Sequence, residues 1–483
     1  MKTNRRNFLG GLVASLSLTG CKSPRLCGEP PRLRLGVISD IHVTTPETTA
    51  AFRRALAYFR DRGADAVLVA GDLADWGLQS GFAIVSEAWR DVFPDDRAPD
   101  GRPVAKLFVT GNHDFEGWDY SDMSLDMHVQ GYSEQEALVR FGMKACWEKA
   151  FGEPYADIRL RRVNGFDFVS AEWMVNGEKR GDEIVAKWLT DHAAELAGDH
   201  PFFFFRHAPV PATVVTSDPK PTALTQALSR FPNAIVFNGH THWTLNDERA
   251  IWQGAFTAIS IPSLSYTSLP TEYENGSDDR SGRATAGMFR LPSRDNLEEA
   301  QGYFVSVWED RMEVERYDFT CMTDAAMPWI VPLGLGCDRP YVPARRAERV
   351  SVPHFPKGAE LMTYVTNADT RAGLWTIFMT LEFPSATAAN GRVFDYEVRA
   401  VREADNETVA MKRFLSPGFY KLPEAEPAMQ KFRFDAMDLP EFGRYRLKVY
   451  PRNCFGLVGE PLVSHVFESK PGKSTEKREA KKK

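Results

Sequence analysis

Cysteine is scarce in this chain, six in 483 residues, and no two stand in a C-x-x-C arrangement. None of them shows the spacing of a thiolate metal site. Cys321 and Cys337 are left as either a disulfide pair in an oxidising compartment or two buried thiols, since connectivity is not written in spacing. Positive charge is not in excess either: the formal net charge is -6, with 59 Lys and Arg against 65 Asp and Glu. That balance leaves no nucleic-acid footprint. The one basic run, Lys470 to Lys483, has no apolar pattern and reads, from residue 469 onward, as a disordered solvated tail. Long apolar runs are missing too. The one near the N-terminus ends at Leu18, too short to span a bilayer as a helix. What the chain does have is 43% hydrophobic residues over a length sufficient for two or three globular domains.

The first 21 residues read as a targeting segment. Asn4-Arg5-Arg6-Asn7-Phe8-Leu9 resembles a twin-arginine export motif, with Asn where Ser or Thr is usual, and Leu18-Thr19-Gly20-Cys21 resembles a lipobox. The implied mature protein begins at a lipidated Cys21 and is exported, periplasmic or on the cell surface, and attached to a membrane.

Five apolar strands then break off into polar residues of metal-ligand type. They are Leu33 to Ser39 before Asp40-Ile41-His42, Ala66 to Ala70 before Gly71-Asp72, Lys106 to Thr110 before Gly111-Asn112-His113-Asp114, Phe202 to Phe205 before Arg206-His207, and Ala234 to Phe237 before Asn238-Gly239-His240-Thr241-His242. In open α/β sheets ligands gather at the carboxyl ends of strands, so five such ends can share one site. Helices are expected between them. Thr44 and Glu47 suit a capping box before a helix carrying Phe52, Leu56 and Phe59 and closing at Gly63. Further helices are read at Gln79 to Val92, near Glu134 to Lys149, and after Asp182 as cap. The excursion holding Trp118, Asp119, Tyr120, Met123, Met127 and His128 is either a substrate wall or a structural insertion. Strands are also read at Phe166 to Ser170, Phe256 to Ile261, and in a hairpin of Tyr303 to Trp308 and Met312 to Phe319.

Proline and glycine breaks between Met327 and Pro343 precede a change of character. Helical periodicity gives way to alternation, with strands at Leu374 to Phe383, Val393 to Val401, Lys431 to Phe434 and Tyr445 to Tyr450, the pattern of a β-sandwich. Gly443 to Asn453 resembles a late strand of fibronectin type III or immunoglobulin-like domains. The expected organisation is a signal segment at 1–21, an α/β domain at 33–325, a β-sandwich at 345–468 and a tail at 469–483.

Motif for motif and in order, the five strand ends resemble the calcineurin-like metallophosphoesterase family, over about residues 33 to 320. The resemblance implies a four-layer α/β sandwich and hydrolysis of phosphomonoesters or phosphodiesters by a hydroxide bridging two divalent ions (Mn, Fe, Zn or Co). Cations about 3.5 to 4 Å apart need an anionic bridge, and Asp72 at a tight turn suits that role. By resemblance Asp40, His42 and His242 complete one metal's shell, and Asn112, His207 and His240 the other's. His113 is then the group facing the leaving oxygen, with Asp75 as the carboxylate that orients it and Asp114 as a second candidate.

Taken singly, Asp40 or Asp72 is an ordinary turn residue and His207 an ordinary strand-end histidine. Together the motifs hold five of only ten histidines, and the joint pattern points to a dinuclear centre. His128, His192, His200, His354 and His465 carry no such reading. Serine/threonine phosphatases of this superfamily place Arg after the residue matching Asp75, where this chain has Trp76. The expected substrate is therefore a small-molecule or lipid-headgroup phosphoester outside the cytoplasm. A surface binding or adhesion protein with a structural metal site is the alternative.

Overall fold

The computed structural model describes residues 29–44, 48–77, 79–115, 142–268, 273–275, 300–369, 375–389, 391–420, 427–435, 439 and 443–469. The signal segment, the tail from residue 470, the excursion from Trp118 to His128, Glu47 of the expected capping box and the first part of the helix expected near Glu134 lie outside the described residues, whereas Ser469, expected to open the tail, ends a strand.

In chain order the strands of the larger part are β1 (Leu33–Ile38), β2 (Ala66–Ala70), β3 (Ala105–Val109), β4 (Ile158–Val163), β5 (Phe166–Ala171), β6 (Met174–Val175), β7 (Glu178–Lys179), β8 (Phe202–Arg206), β9 (Ala234–Asn238), β10 (Ile251–Gln253), β11 (Thr257–Ser260), β12 (Gln301–Val307), β13 (Arg311–Asp318) and β14 (Thr323–Pro332). They form two six-stranded sheets, ordered β14-β13-β12-β1-β2-β3 and β10-β11-β9-β8-β5-β4, with β6 and β7 as a small separate hairpin. The middle strands are parallel, β1 to β2 to β3 and β5 to β8 to β9 to β11, so their carboxyl ends emerge on one edge.

Three apolar clusters make the layers. Leu35, Val37, Leu68 and Leu107 of the first sheet pack on Phe203, Phe205, Ile235 and Phe237 of the second. The outer face of the first sheet is covered by helices Thr48–Asp61, Gln79–Val92 and Met143–Phe151 through Phe52, Phe59, Trp89 and Trp147. Helices Asp182–Asp191 and Ala223–Leu228 cover the second through Val185, Leu189, Leu224 and Leu228. The result is the four-layer α/β sandwich expected from the motifs. Each large apolar side chain buried this way contributes about 1.5–3 kcal/mol, which is what fixes the strand ends in place.

Two local expectations need correction. Gly181, in the left-handed region, caps the helix after it, and Asp182 sits in the first turn without a capping bond. Its carboxylate accepts from Arg206 at 2.6 Å instead. The stretch beginning at Met327 is not a linker at its start, because β14 pairs with β13 as far as Pro332. Strand β4 was also unread: its sequence IRLRRV is mostly half-exposed, with the charges of an edge strand. The hairpin of β12 and β13 closes where expected, Trp308 N donating to Arg311 O at 2.8 Å.

A second part follows from β15 (Met362–Asp369) through β16 (Trp375–Pro384), β17 (Val393–Arg402), β18 (Thr408–Leu415), β19 (Met429–Asp435), β20 (Gly443–Asn453), β21 (Leu462–Val463) and β22 (Phe467–Ser469). One antiparallel sheet runs β15-β16-β19, the other β18-β17-β20-β21 with β22 on β20. Leu381, Phe383 and Phe432 of the first pack on Tyr396, Val398 and Leu447 of the second. Cys146, Cys321, Cys337 and Cys454 are free thiols, with Cys321 exposed and Cys337 half-buried, so Cys321 and Cys337 form neither the disulfide nor the pair of buried thiols expected. Among the described residues no helix is long and apolar enough to cross a membrane.

Candidate metal centre

Backbone hydrogen bonds pair neighbouring strand ends along the rim. Asp40 N donates to Gly71 O at 3.0 Å, His42 N to Asp72 O at 3.0 Å, and Gly239 N to His207 O at 2.9 Å. The turns are tight enough to restrict composition. A Cβ on Gly111 would lie 2.1 Å from Asp72 Oδ1, and one on Gly71 would lie 2.4 Å from His207 Nδ1, so both positions require glycine for close approach. Asp40, His42, Asp72, His240 and His242 all have positive φ, between 45° and 75°. Left-handed backbone at non-glycine residues costs about 1–3 kcal/mol each and persists where surrounding structure holds it, characteristically at functional sites.

The ring nitrogens of the histidines are assigned by their outer partners. His42 Nδ1 donates to the Asp75 carboxylate at 2.6 Å, His207 Nδ1 to Ala70 O at 2.8 Å and His242 Nδ1 to Tyr266 O at 3.1 Å. Carboxylates and carbonyls only accept, so each Nδ1 carries the hydrogen and each Nε2 turns a lone pair inward. His42 Nε2 then faces His242 Nε2 at 3.1 Å. His207 Nε2 faces Asn112 Oδ1 and His240 Nδ1, both at 3.1 Å. The carboxylates complete two acceptor clusters. His242 Nε2 is 3.1 Å from Asp40 Oδ1, and Asp72 Oδ2 lies 3.1 Å from His207 Nε2 and 3.7 Å from His42 Nε2. The other oxygen of Asp72 accepts from His113 N at 3.0 Å, which aims Oδ2 between the two clusters.

Lone pairs facing lone pairs at this range repel unless a cation sits among them. The donor set of imidazoles, carboxylates and one amide oxygen suits Mn, Fe, Zn or Co without selecting one, so the residues fit a pair of divalent cations. The sets Asp40, His42, Asp72, His242 and Asp72, His207, His240 each bring their ligand atoms within 4.8 Å of one another. Asn112 joins the second through His207. All seven residues expected as ligands thus meet on one edge.

In the absence of cations, protons do the neutralising. Burial pushes the Asp40 carboxyl up, but His242, His207 and His42 outweigh it and hold it low. Burial acts likewise on Asp72, and His207 chiefly overcomes it. Burial pulls His207 down, yet Asp72 and Asp40 raise it to about 9. His240 goes the other way, to about 4, through burial and the neighbouring His207 charge. Burial likewise lowers His242 against the pull of Asp40, whereas Asp75 and Asp72 raise His42 against its burial.

The three residues expected around the leaving oxygen divide. His113 lies at the rim, its ring 4.7 Å from that of His42 in a T-shaped contact. The Asp75 carboxylate is nearer His42 Nδ1, at 2.6 Å, than His113 Nδ1, at 3.7 Å. The expected orientation of His113 by this carboxylate is therefore corrected: Asp75 first orients a metal ligand, and His113 Nδ1 lies 3.4 Å from the backbone oxygen of Asp75. Asp114 is corrected as well. It is buried, and its carboxylate accepts from the backbone N–H groups of Leu73, Ala74 and Gly111 at 3.1, 2.9 and 2.8 Å, tying two turns together. Burial and the charge of Asp72 push it up to about 7 against those three amides.

Several site residues went unread. Glu172, at the end of β5, accepts from Thr110 N at 2.7 Å and Thr110 Oγ1 at 2.6 Å, which pins the strand end just before Asn112. Trp173 packs its ring 5.7 Å from that of His207 and 5.5 Å from that of His240. Tyr266 covers His242 at 4.0 Å. The strand Phe166 to Ser170 was read, and following its end as the other five were followed would have reached Glu172 and Trp173. Tyr266 had no such signal, since its backbone oxygen is what the site uses.

Residues 33–244 match the family model described as calcineurin-like phosphoesterase. No curated protein matches the chain. Among solved structures it is similar to a dimetal phosphatase from Danio rerio, at 14% identity over 63% of this chain and 100% of that one, with a TM-score of 0.35. It is also similar to the purple acid phosphatase PPD1 from yellow lupin seeds, at 10% identity over 63% and 54%, TM-score 0.34. A third is GAP50 of Plasmodium, at 10% identity over 64% and 90%, TM-score 0.34.

Proposed function

We propose that this chain, whose residues 33–244 match the calcineurin-like phosphoesterase family model, hydrolyses phosphoester bonds with two divalent cations, held by Asp40, His42, Asp72 and His242 on one side and by Asp72, Asn112, His207 and His240 on the other. One observation carries the reading: a single buried carboxylate oxygen, Asp72 Oδ2, sits between inward-facing Nε2 atoms of His42 and His207 at 3.7 and 3.1 Å. When bound, two such cations lower the pKa of a shared water and neutralise the phosphoryl charge.

The chain's own groups do the rest. Fixed hydrogen bonds donated to Asp75, Ala70 and Tyr266 hold the imidazoles in the metal-binding tautomer, so no reorganisation is needed when substrate arrives. His113, partly exposed at the rim beside His42, donates a hydrogen bond or proton to the leaving oxygen. Asp114 and Glu172 keep the Gly71 and Gly111 turns at the separation this requires.

The proposed setting is outside the cytoplasm, with lipid attachment through Cys21. The supports are the Arg5-Arg6 pair and the Leu18 to Cys21 sequence. Trp76, 47% exposed beside Asp75, stands where a phosphoprotein phosphatase carries Arg. This favours nucleotides, glycerophosphodiesters or phospholipid headgroups as substrates. The β-sandwich is proposed as a fibronectin III or immunoglobulin-like module. A purely structural metal site does not account for a histidine held at the rim of the acceptor cluster.

The test is a panel of chromogenic phosphomonoesters and phosphodiesters with the Mn-reconstituted protein and its His113→Ala variant. Turnover is expected in the parent, with a loss of about 10²–10⁴-fold in the variant at unchanged metal content. A metal-loaded parent inert across the panel ends the proposal.

A further inference from the structure

Most arginines of the second sheet are already neutralised. Arg159 pairs with Glu172 and Glu153, Arg161 with Glu153 at 2.6 Å, Arg162 with Asp167 at 2.7 Å and Arg206 with Asp182 at 2.6 Å. Arg180 differs. It is exposed, and among the described residues no carboxylate lies within ion-pairing distance of it. Its guanidinium instead lies over the ring of Trp173, 5.3 Å from the centroid. That same ring packs on His240 and His207 at 5.5 and 5.7 Å. Two ring contacts therefore link an unneutralised cation to the half-site that His207 and His240 form.

The placement is enforced by the backbone. Arg180 has φ of 67°, its N donates to Trp173 O at 2.7 Å, and its own oxygen accepts from Arg206 Nη1 at 3.3 Å. Arg206 is itself buried and anchored by Asp182. The charge of Arg180 is felt at the site, where it adds to the effects that push His240 down. Stacking on an indole face holds a guanidinium by its plane and leaves its N–H fork free along the edge. A phosphate offers that fork two oxygens at matching separation, which an ammonium group cannot use in the same way.

We propose that Arg180 is a substrate-binding residue, a guanidinium clamp that takes phosphate oxygens on the His240 side of the centre and is braced on Trp173. The proposal rests on the phosphoesterase reading above and adds a recognition element that is not a metal ligand. Its experiment uses inorganic phosphate as the probe, titrated calorimetrically into Mn-loaded parent, Arg180→Ala, Arg180→Lys and Lys179→Ala, with metal content measured on each. The expected result is weakening of phosphate binding by roughly tenfold to a hundredfold in Arg180→Ala, partial recovery in Arg180→Lys, parent-like binding in Lys179→Ala and two metals throughout. The same variants should show the loss in KM more than in kcat on a chromogenic ester. Equal phosphate affinity in parent and Arg180→Ala, with the parent active, overturns the clamp and leaves the hydrolase reading standing. A parent that holds its metals but neither binds phosphate nor hydrolyses any ester overturns both.

Discussion

The chain buries charge in two places, and it treats them in opposite ways. In the β-sandwich, Asp395 meets Arg413, Arg452 Nε at 3.5 Å and the Tyr273 hydroxyl at 3.0 Å, and Glu397 meets Arg399 and Arg452 at 2.6 Å each. Each carboxylate there has a guanidinium within the chain. At the strand ends of the α/β part, Asp40, Asp72 and the inward nitrogens of four histidines face one another, with Asn112 Oδ1 as a further acceptor. Burying an ion without a partner costs several kcal/mol, so a cluster made of acceptors signals a positive charge supplied from outside. Internal ion pairing marks a structural joint, and acceptors turned toward one another mark a binding site.

The contrast is broken most severely at Asp72. Replacing it as Asp72→Asn keeps the shape and removes the one anion shared by both clusters. Metal content should fall from two per chain to one or fewer. Turnover should fall steeply with it, because a water held by one cation is less acidic than one held by two and the second cation no longer neutralises phosphoryl charge. The measurement is elemental analysis of the purified variant beside its rate on a chromogenic ester; two bound metals and parental turnover would show that Asp72 is no bridge.

Removing the metal sharpens the contrast through pH. His207 at about 9 stands above the ordinary histidine value of about 6.5. A raised value means that protonation stabilises the metal-free fold fully below about pH 6.5, and that this contribution is lost as pH rises through 9. A cation replaces that proton, so the gain in Tm on adding Mn should grow from pH 6.5 to 9. At a hundredfold excess over Kd the gain is about 2.7 kcal/mol, or roughly 5–10 °C for a domain of this size. Differential scanning calorimetry of chelated and reloaded protein across that range checks it, and a gain that shrinks with pH contradicts the sign.

What the sequence revealed follows the same division. All seven ligands were legible because each ends an apolar strand, and strand ends in parallel sheets share an edge. The partners that hold them were not. Ala70 and Tyr266 act through backbone oxygens, which no residue type announces. Asp75 and Asp114 were legible as acids near the site, but whether a carboxylate faces a histidine or a row of amides depends on the angle at which the Gly71 and Gly111 turns meet. β14 was hidden by the two prolines of its second half, Pro328 and Pro332, and the charges of β4 disguised it as a loop. The Asp395 cluster was hidden for another reason: Tyr273, Arg413 and Arg452 come from three distant stretches, and an ion pair has no local pattern.

The smallest expected effect lies in that cluster. Asp395→Asn retains the volume and an acceptor for Tyr273 but leaves Arg413 and Arg452 without their shared charge. Breaking a buried pair costs about 3–5 kcal/mol, yet these two arginine side chains are 25% and 22% exposed. Water screens what is lost, and about 1–2 kcal/mol is the expected cost. The variant should melt a few degrees lower while keeping two metals and parental kcat/KM, since none of its partners reaches the strand ends. Tyr273 makes this a real test. It follows β11 in the chain and packs on Phe394 of the sandwich at 6.0 Å, so the cluster is a joint between the two parts. If loosening it lowers turnover tenfold at unchanged metal content, the sandwich sets the geometry of the catalytic edge, and the two buried charge clusters form one machine.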